Sequence, residues 1–195
     1  MEQSERPATG VSRSQHVLHV VPQLWEAITP VMTGALERVD PDATEPQLLV
    51  VTPDNDTAMD VARLAACLES AEGHRIVPVS EGGRAARLLR ARPAPVVIGS
   101  AVALAELVSA TALKLSGLKA VLLVWADEII ERTPSETLDA LFTEVPREAA
   151  RLATAGSETP ELEAFVERQM FRARRASDAP APAEGAPIDV EVLHA

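Results

Sequence analysis

The chain has 195 residues, of which 47% are apolar, enough to close one hydrophobic core but too few for a two-lobed motor. Its formal net charge of −11 argues against general polyanion binding, because phosphate recognition draws counterion-release energy from a positive surface. The longest uninterrupted apolar run, Ala120 to Ala126, falls far short of the roughly 18 residues of a membrane span, so the expectation is a soluble protein without an export segment, working in the cytoplasm.

Residues 1–14 carry Glu2, Glu5 and Arg6 without an apolar run and read as a flexible N-terminus ahead of a single domain over 15–176. A strand is predicted over 16–21, followed by a helix ending near Glu37 and a second strand over 47–52. Asp54 and Asp56 then sit where a helix starts, and Val61, Leu64, Ala65 and Leu68 recur at helical spacing. Cys67 lies beside that stripe and reads as a packed thiol; as the only cysteine it forms neither an internal disulfide nor a zinc cluster. Further strands are predicted over 75–79, 95–99, 119–125 and 149–154. Between them run the helical stripes Leu104, Leu107, Val108 and Leu138, Leu141, Phe142, Val145, and after them Leu162, Phe165, Val166, Met170. Thr133-Pro134-Ser135-Glu136 reads as an N-cap with proline at the first helical position, and Thr159-Pro160 opens the last helix in the same way. Short β-branched strands alternating with amphipathic helices predict an α/β domain: a mostly parallel sheet with helices on both faces.

From Ser177 to Pro187 the composition turns to Ala, Pro, Asp, Glu and Gly, which cannot bury a core and reads as a linker. Beyond it Ile188-Asp-Val-Glu-Val-Leu193 alternates apolar and acidic residues, so Ile188, Val190 and Val192 are candidates for docking to a sheet edge. Residues 177–195 as a whole read as an acidic tail, since they contain four carboxylates and no Lys or Arg. The basic residues cluster as Arg84, Arg87, Arg90, Arg92 and as Arg168, Arg172, Arg174, Arg175, most simply as solvated helix faces paired with nearby carboxylates.

Several segments, in order, resemble the first RecA-like domain of the DEAD-box helicases. Gln47-Leu-Leu-Val-Val-Thr-Pro53 with Asp54-Asn-Asp-Thr-Ala58 is similar to the strand that ends in Pro-Thr-Arg-Glu-Leu-Ala, and Glu81-Gly-Gly83 looks like the double-glycine motif. Pro95 to Val108 parallels the strand and helix around Thr-Pro-Gly-Arg, with Ser100 in place of the threonine and Ala101, Val102 and Ala103 in place of the rest. Leu115-Ser-Gly-Leu-Lys119 precedes the next strand as a similar sequence does in the family. Val124-Trp125-Ala126-Asp127 stands where Asp-Glu-Ala-Asp belongs, and Ala153 to Phe165 resembles the Ser-Ala-Thr strand end with its helix. The resemblance implies a three-layer RecA-like fold of the P-loop NTPase type.

The departures from the family decide the functional expectation. Pro22-Gln-Leu-Trp-Glu-Ala-Ile-Thr29 occupies the place of the phosphate-binding loop, with no glycine, no lysine and an added carboxylate, Glu26. Leu24 and Trp25 obstruct backbone approach to a phosphate, and Glu26 repels it where a helix dipole would otherwise attract. In the family the first acidic residue of the motif engages Mg²⁺ and the second positions water; Val124 and Trp125 do neither. Asp127 then reads as a capping or hydrogen-bonding group at a strand end. The expectation is an inactive helicase-like domain, with no ATP, no cofactor and no metal, that binds a protein partner or a second copy of itself.

The alternative is residual single-stranded RNA binding. The resemblance places Pro53, Asn55, Gly82, Gly83 and Ser100 on the RNA-backbone side of the sheet, with Arg84 and Arg87 as the compensating positive charge. Against it, Asp54 and Asn55 stand in place of a threonine and an arginine, and Ala103 in place of another arginine. His16 and His19 are expected on opposite sides of their strand, and no nucleophile elbow or dinucleotide fingerprint occurs.

Overall fold

The computed structural model describes residues 16–80 and 82–176. Among them seven strands form one sheet: β1 Val17–Val20, β2 Leu48–Thr52, β3 Ile76–Val79, β4 Val96–Ser100, β5 Ala120–Leu123, β6 Ala150–Ala155 and β7 Arg174–Ala176. Their spatial order is β3-β4-β2-β5-β6-β1-β7, and every pairing is parallel, where the sequence predicts a mostly parallel sheet. Parallel neighbours need crossover connections, which cover both faces with helices. These are α1 Trp25–Leu36, α2 Asn55–Ala66, α3 Gly82–Ala91, α4 Ala101–Ser109, α5 Ala126–Arg132, α6 Ser135–Thr143 and α7 Pro160–Gln169, with a 3₁₀ turn at Glu69–Ala71.

The period of two along each strand divides its side chains between two cores. Leu49, Val51, Val121 and Leu123 point into one, with Leu89, Leu104, Leu141, Phe142, Phe165 and Met170 from α3, α4 and α6 to the turn after α7. Leu48, Val50, Leu122 and Val124 point into the other, with Ile28, Met32 and Leu36 of α1 and Val61 of α2. This is the three-layer α/β architecture.

All six predicted strands form, and β7 was not foreseen: its Arg-Arg-Ala sequence has no apolar alternation. It is held by pairing with β1, beginning with the Arg174 N–H donating to the His16 carbonyl at 2.9 Å. Thr159 caps α7, its Oγ1 accepting from the Leu162 N–H at 3.2 Å. Thr133, by contrast, ends α5 and does not cap α6, because Ala126–Arg132 form a short helix of their own. Cys67 is exposed, not packed: α2 buries Ala58, Val61, Ala62 and Ala65, and Cys67 lies past them at the C-cap.

Gly99 sits inside β4, where a Cβ would come within 3.0 Å of Val79 Cβ and 3.1 Å of Leu104 Cγ. Both neighbours are fully buried core side chains. Gly99→Ala is therefore expected to cost about 1–2 kcal/mol by overpacking, measured by urea denaturation.

Candidate functional site

Parallel strands bring all their carboxyl ends to one side, and loops that leave toward opposite helix layers open a crevice there. After β1 the chain enters α1 on one layer, whereas after β5 and β6 it enters α5 and α7 on the other. The crevice lies between these loops, and it holds the residues the sequence singles out. Leu24 is the N-cap of α1 and supplies no side-chain cap, and Glu26 stands in the first turn. Leu24 is 56% exposed and Trp25 36%.

Val124 is buried and its N–H donates to the Val51 carbonyl at 2.9 Å. Trp125, predicted as strand, instead turns the chain in the left-handed conformation at φ 59° and caps α5 without a side-chain bond. That conformation costs a non-glycine residue about 1–2 kcal/mol, so something must hold it. Two contacts do: the Trp125 N–H donates to Thr154 Oγ1 at 3.1 Å, and the indole packs on Trp25 with ring centroids 4.9 Å apart and planes tilted by 48°. The Trp125 Nε1 is buried without a hydrogen-bond partner among the described residues.

Ala126 is fully buried, and Asp127 lies in the first turn of α5, two residues inside the cap position. Its Oδ2 accepts from the Gly156 N–H at 3.1 Å, the Ser157 N–H at 3.0 Å and the Ser157 Oγ–H at 3.2 Å. The carboxylate thus ties the loop after β5 to the loop after β6. Gln23 closes the other side: a Cβ at Gly156 would come 2.9 Å from its Cγ. A cavity of about 660 Å³ opens beside these groups, lined by Asp127, Glu128, Glu131 and Glu161 among others. Its charge is negative, the wrong sign for a polyphosphate. Among the described residues no three His, Cys, Asp or Glu side chains converge as a metal-holding group.

A second cluster forms at the ends of β2 and β4. Pro53 is buried, and Asp54 caps α2 by accepting from the Thr57 N–H at 2.8 Å. The Asp54 carboxyl is held below its ordinary pKa, first by that backbone bond and further by Arg132. Arg132 bridges Asp54 at 2.6 Å and Glu128 at 2.8 Å, a link between α2 and α5 that no spacing in the sequence announces. Asn55 donates to the Ser80 carbonyl at 3.0 Å and accepts from Ser100 Oγ at 2.9 Å, while Ser100 caps α4. Their polar groups face each other and hold three loops together.

Gly82 and Gly83 open α3, and Arg84 and Arg87 project from it, exposed. Neither arginine has a carboxylate partner among the described residues. The expected pairing does hold in the other cluster, where Arg168 meets Asp139 at 3.5 Å and Arg175 meets Glu163 at 2.9 Å. The His16 ring Nδ1 accepts from the Arg151 N–H, and His19 is buried near the sheet edge. Burial, then Arg151 for His16 and Arg174 for His19, pushes both imidazoles below their ordinary pKa. Ile188, Val190 and Val192 lie outside the described residues.

The fold is that of solved DEAD-box proteins. A DEAD box protein from the hyperthermophile Methanococcus jannaschii superposes with a TM-score of 0.71 at 16% identity, covering 84% of this chain and 45% of that one. S. cerevisiae Dbp5 L327V bound to RNA and ADP BeF3 gives 0.64 at 15%, covering 85% and 42%. The same protein bound to Gle1 H337R and IP6 gives 0.66 at 15%, covering 83% and 42%. The chain spans less than half the length of each. No family model and no curated protein matches it by sequence.

Proposed function

We propose that this chain is a catalytically inactive helicase-like domain that serves as a protein-interaction module, docking a partner at the carboxyl edge of its sheet. The observation that carries this reading is the Trp25–Trp125 contact, with centroids 4.9 Å apart, across the place where a phosphate loop would stand. The paired indoles support this reading by their bulk, and Asp127, Glu128, Glu131 and Glu161 line the neighbouring cavity with charge that opposes a triphosphate's. The half-exposed Leu24 and Trp25 form an apolar, aromatic anchor of the kind that dominates protein interfaces.

A second reading, nucleotide-independent RNA binding, is favoured by one specific observation. Arg84 and Arg87 are exposed and without a carboxylate partner among the described residues, on a helix that starts beside the Asn55–Ser80 link. Phosphate contacts by unpaired arginines weaken steeply with salt. Titration of labelled single-stranded RNA at low salt, with and without ATP and Mg²⁺, separates the readings. The interaction module gives no binding in either arm. Salt-sensitive binding that ignores ATP and is lost in Arg84→Glu/Arg87→Glu, with folding intact, supports the RNA reading; ATP-dependent binding contradicts both.

A further inference from the structure

At the opposite, amino end of the strands lies a second cleft of about 690 Å³, between the segments that lead into β1, β6 and β7. Arg147, Arg151 and Arg168 line it together with Phe142 and Phe171, and no carboxylate is among its lining residues. In a chain of net charge −11 this is a local excess of positive charge, even with Arg168 shared with Asp139 at 3.5 Å.

Arg151 is its centre. The guanidinium stacks 5.5 Å over the Phe142 ring, and its Nη1 donates to the Gln169 carbonyl and side-chain oxygen. Its Nε is buried without a partner, and it has no ion pair among the described residues. Burial alone pushes its pKa down. A half-buried cation held only by neutral oxygens favours the arrival of an anion, which would supply the missing counter-charge. Beside it Phe171 is 68% exposed, so the cleft offers an apolar shelf next to its positive charge. A ligand that matches both is a peptide alternating carboxylates with aliphatic side chains.

The chain carries such a segment. Residues 177–195 contain Asp178, Glu184, Asp189 and Glu191 without any Lys or Arg, and Ile188, Val190 and Val192 alternate with the last two acids, Leu193 following. The segment leaves from Ala176, the end of the three-residue strand β7, so the cleft lies about 10 Å back along that strand. Residues 177–187 reach about 35–40 Å when extended, more than enough to turn back. We propose that the cleft is an intramolecular docking site for this segment, with Asp189 and Glu191 facing Arg147, Arg151 and Arg168, and the aliphatic residues on Phe142 and Phe171. Exposed ion pairs are weak one by one, but a short tether gives a millimolar effective concentration, so a contact of millimolar affinity is already about half occupied.

Hydrogen–deuterium exchange on the full chain tests this. Amides of residues 188–193 exchange about 2-fold more slowly than an unstructured peptide, as expected for a tethered contact occupied about half of the time. Arg147→Glu/Arg168→Glu, at two exposed positions, removes the protection without changing exchange in the two cores. Adding Asp189→Arg and Glu191→Arg to that variant restores it. Unprotected amides in the parent chain, or protection indifferent to the charge reversals, overturn the proposal. Protection that fades on dilution overturns it too, since the occupant would then be a second copy.

Discussion

Trp125→Ala lowers the unfolding free energy by about 2–4 kcal/mol, and Trp125→Gly by about 0.5–1 kcal/mol less. The loss common to both is packing: the indole contacts Trp25 and rests on the core that contains Val124 and Leu122. A fully buried tryptophan costs about 3–5 kcal/mol when truncated, and Trp125 is only partly buried, which lowers the figure. Backbone strain makes the difference between the variants. Alanine keeps a Cβ at φ 59°, whereas glycine adopts that angle freely and gives back part of the gain as unfolded-state entropy. Glycine is ordinarily the worse substitute, so the inverted order is a specific sign of the left-handed turn. Equal stabilities, or alanine the more stable in urea denaturation, would show that the chain is not held in the left-handed conformation at position 125.

Removing the Asp127 carboxylate is the second large effect, a loss of about 1.5–3 kcal/mol for Asp127→Ala. Three donors converge on one charged oxygen, and they belong to the loop after β6, not to the helix that carries the carboxylate. Gly156 and Ser157 are exposed, so water takes up part of the loss, and the lower half of the range applies if it reaches both amides. Asp127→Asn keeps an acceptor oxygen without the charge and falls about midway. Faster amide exchange at Gly156 and Ser157 in Asp127→Ala should accompany the drop in stability. Unchanged exchange there would mean that the carboxylate does not tie the two loops.

Six strands and the α/β class were legible because β-branched runs and helical stripes are properties of local sequence, and burial enforces both. What was not legible depends on partners distant in the chain. Strand β7 exists because β1 offers it an edge and Glu163 takes Arg175, and nothing in Arg174-Arg175-Ala176 signals either. The turn at Trp125 carries no glycine or asparagine, so an apolar run from Ala120 reads as unbroken strand. Thr133 was misplaced for a related reason: a capping pattern marks a helix end, and Thr133 stands between two. In the candidate site, the sequence identified the unusual residues at the places of the phosphate loop and the acidic motif. The contact between Trp25 and Trp125, the fork of Arg132 between Asp54 and Glu128, and the three donors on Asp127 needed coordinates.

Trp25 and Trp125 are the only tryptophans in the chain, so their emission reports the crevice and nothing else. The most direct measurement is that emission during a titration with ATP and Mg²⁺ to about 1 mM, the weak end of ordinary enzyme–substrate affinity. A crevice filled by the two indoles gives no saturable change in intensity or wavelength. A saturable change that ADP competes away contradicts the proposed function, since the nucleotide would then be entering between them.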